Sequence, residues 1–335
     1  MFRLEFSAFA LAIGAWVLLA SCRGVTAGSG AMGSASASAI LSQPDAAPEV
    51  SEPITPPHVV PPEQPLADAG LDAESGNADM LRVPGGTFTM GADRGGEEDE
   101  HPAHSVAVAG FWLDRTEVTN AAYAACVATK TCRAPEGNVA AVMHAGPDSG
   151  FHRSLQPVVG VGWEDARAYC TWIGKRLPRE AEFERAVRGD DGRRFPWGND
   201  PPTRERTCFG RLLVSGSTTD DVGAHPAGKG PYGHDDLAGN VWEWLEDEYD
   251  PIAYTRSTAA EGKPGSCPEI LAACAKLRAD GKQGFTGSNP IPTTCEHVLR
   301  GGAFNYDGPS LRSTNRVHHP GNYRLVMTGF RCAKY

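Results

Sequence analysis

The sequence predicts a mixed α and β fold with much irregular chain, and three observations carry that expectation. Gly and Pro are abundant, at 39 and 26 of 335 residues, which argues for a loop-rich fold rather than a helical bundle. Five short runs rich in β-branched or aromatic residues, most bounded by Gly, read as strands at 87–90, 105–108, 111–113, 298–300 and 330–332. Three segments carry helical spacing with start and stop signals.

The first helix follows Thr119, an N-cap residue type, and sets Tyr123, Cys126 and Val127 on one face. The second is predicted over 164–173. Its Ala166, Tyr169, Cys170 and Ile173 fall at i, i+3, i+4 and i+7, so Cys170 faces the core, and Gly174 supplies a stop. The third is expected to begin with Pro178 at its first helical position. Glu180 and Glu182 lie near its positive end, Arg185 and Arg188 near its negative end, and Gly189 closes it. Its interleaved Glu and Arg read as a solvated face.

The N-terminal segment points to export. Arg3 precedes an apolar run over 6–19, too short for a comfortable membrane span and followed by small residues, as in a secretory signal peptide. The run ends Leu19-Ala20-Ser21-Cys22, which resembles the lipobox of bacterial lipoproteins. That resemblance implies a signal peptide at 1–21, cleavage before Cys22, and a lipid on its thiol that gives the chain a membrane as partner. The bland alternative is an ordinary signal peptide that contains a cysteine. Arg23, in place of an aspartate, favours the outer membrane, facing the periplasm or the cell surface. From 22 to 79 the chain is rich in Ala, Ser, Gly and Pro with few large apolar residues, a composition expected of a disordered tether. The folded domain is expected over 80–335.

The formal net charge of -10 leaves no basic footprint for nucleic acid. Nine cysteines are present. With Cys22 set aside, an even set remains, which in an exported chain reads as disulfides. No CxxC spacing occurs, so a zinc ribbon is disfavoured. Cys126 and Cys132 are expected to pair across a tight loop.

Seven strings then stand in a telling order: PGGTFTMGAD, GFWLDRTEVTNAAYAACV, VVGVGWEDARAYCTWIGKRLPREAEFERAVRG, RFPWGND, GNVWEW, LRGGAF and GFRCAKY. Together they resemble the sulfatase-modifying-factor family, whose founding activity converts a sulfatase cysteine to formylglycine, and the resemblance covers essentially all of 80–335. It implies a compact, loop-rich, disulfide-stabilised α+β domain of the formylglycine-generating-enzyme fold, related to the C-type lectin fold. It also implies a disulfide between Cys170 and Cys332. Cys208, Cys267, Cys274 and Cys295 are left with three possible connectivities.

In the oxidising members, one cysteine lies six residues after the arginine of the RGG segment and another five further on, and together they hold Cu(I), a soft ion that selects thiolates. Counted from Arg300, those positions are Tyr306 and Leu311. Leucine has no donor atom and a neutral phenol is a poor one, so no copper and no catalytic residue is expected. The resemblance places a calcium site at 236–243, with ligands from Asp236, Gly239, Val241 and Glu243, all hard oxygens as calcium requires. An Asp replaces the family's usual Asn there. Trp242, Arg300 and Tyr306 are candidates for a retained cleft, although a tryptophan beside a structural metal loop is more often core.

His318 and His319 are adjacent, and strand neighbours point to opposite faces and rarely chelate one ion. His101 and His104 sit beside the acidic run 97–100, which reads as a solvated loop. Three function classes follow: a lipid-anchored binding or accessory protein for peptide or glycan, an enzyme of the same fold with different chemistry, and, last, a cysteine oxidase with displaced thiols.

Overall fold

A computed structural model describes residues 79–135, 150–212, 216–284 and 290–335. The predicted signal peptide, Cys22 and all but the last residue of the tether lie outside the described residues. No helix among the described residues is long and apolar enough to cross a membrane.

Strand β1 (Met80–Val83) pairs antiparallel with β4 (Phe111–Asp114), and β4 also takes β9 (Ala333–Lys334), so one three-stranded sheet ties the first and last described segments together. Strands β2 (Gly86–Met90) and β3 (His104–Val108) form a two-stranded sheet. The central sheet has the order β7 (Val317–His319), β6 (His297–Arg300), β5 (Trp242–Glu248), β8 (Thr328–Gly329), with only the last pair parallel.

Strand β5 is largely buried on both faces, and its sequence Trp-Glu-Trp-Leu-Glu-Asp-Glu is neither a continuous apolar run nor a clean alternation. Trp242 and Trp244 enter a core shared with helices α1 (Asn120–Ala128) and α2 (Trp163–Trp172), against Tyr123, Tyr169 and Phe330. Leu245, the next residue, points the other way into a second core with Leu113, Val298 and Phe183 of α3 (Glu180–Arg188). Thr119 caps α1, its Oγ1 accepting the Ala122 N–H at 3.2 Å.

Three expectations are corrected. The predicted strand at 330–332 lies between β8 and β9, because the chain leaves the central sheet at Gly329 and joins β4 at Ala333. It stays tied by its carbonyls: Phe330 accepts from the Val118 N–H and Cys332 from the Asp114 N–H, both at 2.9 Å. Helix α3 starts at Glu180 rather than Pro178. Arg179 is its extended N-cap, with its N–H held by the Glu182 carboxylate at 2.8 Å, while the Pro178 carbonyl is drawn away to the Glu246 N–H at 3.0 Å. The Glu and Arg of α3 are not a solvated face, since every residue from Glu180 to Val187 is buried. Helix α4 (Cys267–Ala279), absent from the sequence reading, buries only Ile270 and Cys274, too little for a legible stripe.

Disulfides join Cys126 to Cys132, Cys170 to Cys332 and Cys267 to Cys295, with Cα separations of 5.3, 5.6 and 5.8 Å. Cys208 and Cys274 are buried free thiols. The even set therefore does not pair off completely, because the two thiols belong to different apolar clusters, one with Phe151 and Phe304, the other with Ile270 and Ile291.

Candidate functional site

Strand β6 ends on Arg300, whose guanidinium is buried. It donates to the Glu184 carboxylate on α3 and to the carbonyls of Thr314, Asn315 and Ser313 at 2.7, 3.0 and 3.1 Å. The buried ion pair holds the loop after β6 against α3, so Arg300 faces the interior and lines no cleft. Gly302, at φ 81°, must be glycine for a second reason: a Cβ there would sit 2.5 Å from Cδ2 of Leu311.

Tyr306 and Leu311 do not face one another across a site. Leu311 ends a 3₁₀ turn (Gly308–Leu311) and is buried with Phe195 and Ala238. Tyr306 is half-buried and packs edge-on against Trp242, ring centroids 5.3 Å apart, at the border of the first core. Burial pushes its phenol above the ordinary tyrosine range. Trp242 itself is buried among core side chains rather than exposed to a cleft. Neither remaining thiol substitutes for the missing pair. Burial, with the nearby Asp220, pushes Cys208 up to about 12, and burial also raises Cys274.

The loop at 236–243 converges with two residues that the sequence reading left out, Glu117 and Arg331. Both Glu243 oxygens accept from Arg331, from Nε at 2.7 Å and Nη2 at 2.8 Å. Arg331 also donates to the carbonyls of Asp235 and Asp236, both at 3.1 Å. Asp236, at φ 53°, accepts the Gly223 N–H at 2.6 Å. Glu117 spends Oε1 on the Asn240 amide at 3.1 Å, and its buried Oε2 has no hydrogen-bond partner among the described residues. Three buried carboxylates thus share one buried guanidinium. Burial raises all three, with Asp236 adding to the rise at Glu117 and Arg331 opposing it at Glu243. Gly239 permits the tight approach: a Cβ would meet Thr207 Oγ1 at 2.1 Å and the Cys208 carbonyl at 2.5 Å. The orphaned Glu117 oxygen leaves one hard acceptor open in this acidic cluster, while both Glu243 oxygens are engaged by Arg331.

The adjacent histidines part company across β7. His318 is held through Nδ1 by Glu296 at 2.7 Å and stacks on Tyr249, while His319 stacks on Tyr323. His101 bonds the Gly95 carbonyl and His104 the Pro102 carbonyl, so they share no site either. The acidic run beside them is not a solvated loop. Asp99 and Glu100 are buried, Asp99 accepting from Tyr249 Oη at 2.6 Å and Glu100 from Thr314 Oγ1 and Arg312, each at 2.6 Å.

The model of the sulfatase-modifying factor enzyme 1-like domain matches residues 67–335. The chain belongs to this family. Its formylglycine-generating-enzyme-like domain is 35% identical over 227 residues to the inactive C-alpha-formylglycine-generating enzyme 2 of Bos taurus, covering 54% of this chain and 75% of that protein. It is 36% identical over 229 residues to the formylglycine-generating enzyme of Streptomyces coelicolor, covering 54% of this chain and 73% of that one. The solved structure of PvdO from Pseudomonas aeruginosa shares the fold, with a TM-score of 0.56 at 24% identity over 76% of this chain and 93% of that one.

Relatives named as active and as inactive match the domain almost equally, so overall likeness does not decide activity and particular residues must. Within the family strings, Glu117 stands in DRTEVTN and Arg331 in GFRC. Both were on the page as sequence, but 214 positions separate them and only the fold brings them to one loop.

Proposed function

We propose that this protein is a lipid-anchored envelope protein whose domain binds a peptide or glycan and does not make formylglycine. The observation that carries the reading is the fate of positions 306 and 311: a half-buried phenol in one cluster and a leucine in another. Neither supplies a thiolate, and a soft copper ion needs two. Displaced thiols do not rescue the reaction, since Cys208 and Cys274 are buried in separate clusters. At neutral pH a thiol pushed up to about 12, as Cys208 is, stays protonated and is a poor ligand. The inactive relative is in keeping with the same reading.

Calcium is the metal the loop at 236–243 suits. Asp236, the carbonyls of Gly239 and Val241, Glu243 and the open oxygen of Glu117 would hold it, and bound there it would neutralise excess buried charge and tighten the loop. The membrane attachment rests on Cys22. Labelling with a fatty-acid analogue should mark the wild-type chain and not Cys22→Ser; equal label in both removes the anchor from the proposal.

The catalytic part is tested on the purified protein supplied with Cu(I), oxygen and a sulfatase-type cysteine peptide. No aldehyde product is expected by mass spectrometry, and copper-dependent aldehyde overturns the reading. Ligand co-purifying with the protein, identified by mass spectrometry, tests the binding part: peptide or glycan supports it, and an intact co-substrate or cofactor favours an enzyme of different chemistry.

A further inference from the structure

A cavity of about 330 Å³ is lined by none of the residues of the loop at 236–243 and not by Tyr306. Five arginines line it: Arg94, Arg188, Arg193, Arg194 and Arg312. The rest of its wall is Ala92, the glycines 95, 96 and 192, Ser313 and Thr314, so neither an acidic nor a large apolar side chain lines it. In a chain of net charge -10 this concentration of cations is not a matter of composition.

The charges are incompletely compensated. Arg188 pairs with Glu184 at 3.0 Å, Arg193 with Asp191 at 2.7 Å and Arg312 with Glu100 at 2.6 Å. Arg94 and Arg194 have no carboxylate partner among the described residues; the Arg194 guanidinium lies over the Phe195 ring. Two further donors are orphaned: the Nε–H groups of Arg188 and Arg312 are buried without an acceptor. The two hydroxyls in the wall are turned elsewhere, Ser313 Oγ donating to the Arg193 carbonyl and Thr314 Oγ1 to Glu100. Gly192, at φ 69°, lies beside Arg188: a Cβ there would stand in ordinary contact, 3.8 Å from Nε and Nη2. A Cβ on Gly95, at φ 69°, would meet nothing within 4 Å.

A guanidinium presents paired N–H groups that match the oxygens of phosphate, sulfate or carboxylate. The volume falls at the lower end of the roughly 300–1,000 Å³ typical of small-ligand pockets. We propose that this arginine-lined cavity is a binding site for a phosphate-type or sulfate-type oxyanion, carried on a small hydrophilic ligand. Arg94 and Arg194, with uncompensated charge at the rim, attract the anion, and Arg188, Arg193 and Arg312 form a wall held in place by their carboxylates. The site is independent of the proposed peptide or glycan binding and of the missing thiols.

The test uses the purified protein, isothermal titration and thermal melting. Inorganic phosphate, sulfate and glycerol phosphate are compared with chloride at matched ionic strength, for wild type and for Arg94→Ala/Arg194→Ala. Both arginines are exposed and make no ion pair, so the double variant should melt as wild type does without anion. Saturable binding of at least one oxyanion is expected, with a matching rise in Tm. The double variant should weaken it about tenfold or more, the scale of losing a charge-assisted contact. Tighter binding of glycerol phosphate than of inorganic phosphate would place an ester in the remaining cavity, and the reverse order an ion site alone. No binding beyond chloride, or binding undiminished in the double variant, overturns the proposal.

Discussion

Glu243 and Arg331 meet edge to edge inside the protein, with Nε–Oε2 at 2.7 Å and Nη2–Oε1 at 2.8 Å, and neither side chain has appreciable exposure. The pair joins β5 to the segment between β8 and β9, and Arg331 adds bonds to four carbonyls, those of Asp114, Arg115, Asp235 and Asp236. Lysine has one nitrogen where arginine has a fork, so Arg331→Lys retains the charge and loses most of these bonds. Breaking such a buried pair costs about 3–5 kcal/mol. Urea unfolding of Arg331→Met, which leaves Glu243 buried and unpaired, should show a loss on that scale, Arg331→Lys a smaller one, and midpoints within error of wild type for both would contradict the argument.

The three disulfides should contribute unequally. The pair Cys170–Cys332 spans 162 positions and Cys126–Cys132 spans 6. On the chain-entropy model, removing the first by double serine substitution should cost about 5 kcal/mol and removing the second about 2 kcal/mol. Denaturant titration ranks the two. Peptide mapping without reductant should find thiols at Cys208 and Cys274 alone among the described cysteines. Labelling of Cys170 or Cys332 would refute the long bridge.

Calcium should raise Tm, and should do so more at pH 8 than at pH 5. Burial raises the carboxyls of Glu117, Asp236 and Glu243 above their usual range, so protons compete with the ion as pH falls. Glu117→Gln, which keeps an acceptor for Asn240 but removes the charge, should shrink the calcium-dependent rise in Tm. A rise that is equal in the variant and wild type would take Glu117 out of the site.

Asp247 sets a second pH dependence. Its carboxylate accepts the Glu180 N–H at 2.7 Å, and burial pushes its pKa up to about 7. An unfolded Asp titrates near 3.9, so the folded state holds the proton more tightly. The stability linked to that proton is fully present below about pH 4 and is lost as pH rises through about 7. Asp247→Asn keeps an acceptor and removes the charge, and should therefore melt higher than wild type at pH 8.5 and close to it at pH 5. Equal differences at both pH values would count against a buried titrating group.

The helices and outer strands were legible wherever one face alone is buried. Thr119 as a cap, Ala166, Tyr169 and Cys170 on one face of α2, and the short runs of β2 to β4 all follow from local rules. The longest strand, β5, was not legible as a strand because its buried positions include Glu243 and Asp247, whose partners Arg331 and the Glu180 N–H come from elsewhere in the chain, so it lacks the apolar run of a strand buried on both faces. Helix α3 was found but misjudged: Glu180, Glu182 and Glu184 look like surface residues until Arg316, Arg176 and Arg300 arrive from elsewhere in the chain to neutralise them.

The sequence by itself determined the family strings, the Asp, Gly, Val and Glu of the loop at 236–243, and the absence of thiols at 306 and 311, because each is a matter of residue type at a fixed spacing. Tertiary structure alone decided that Glu117 and Arg331 join that loop, that Cys208 and Cys274 stay unpaired, that Arg300 faces inward, and that five arginines line one cavity. Those outcomes depend on which side chains meet across large sequence separations. Electrostatic neutralisation and desolvation act through space, and a one-dimensional pattern records neither.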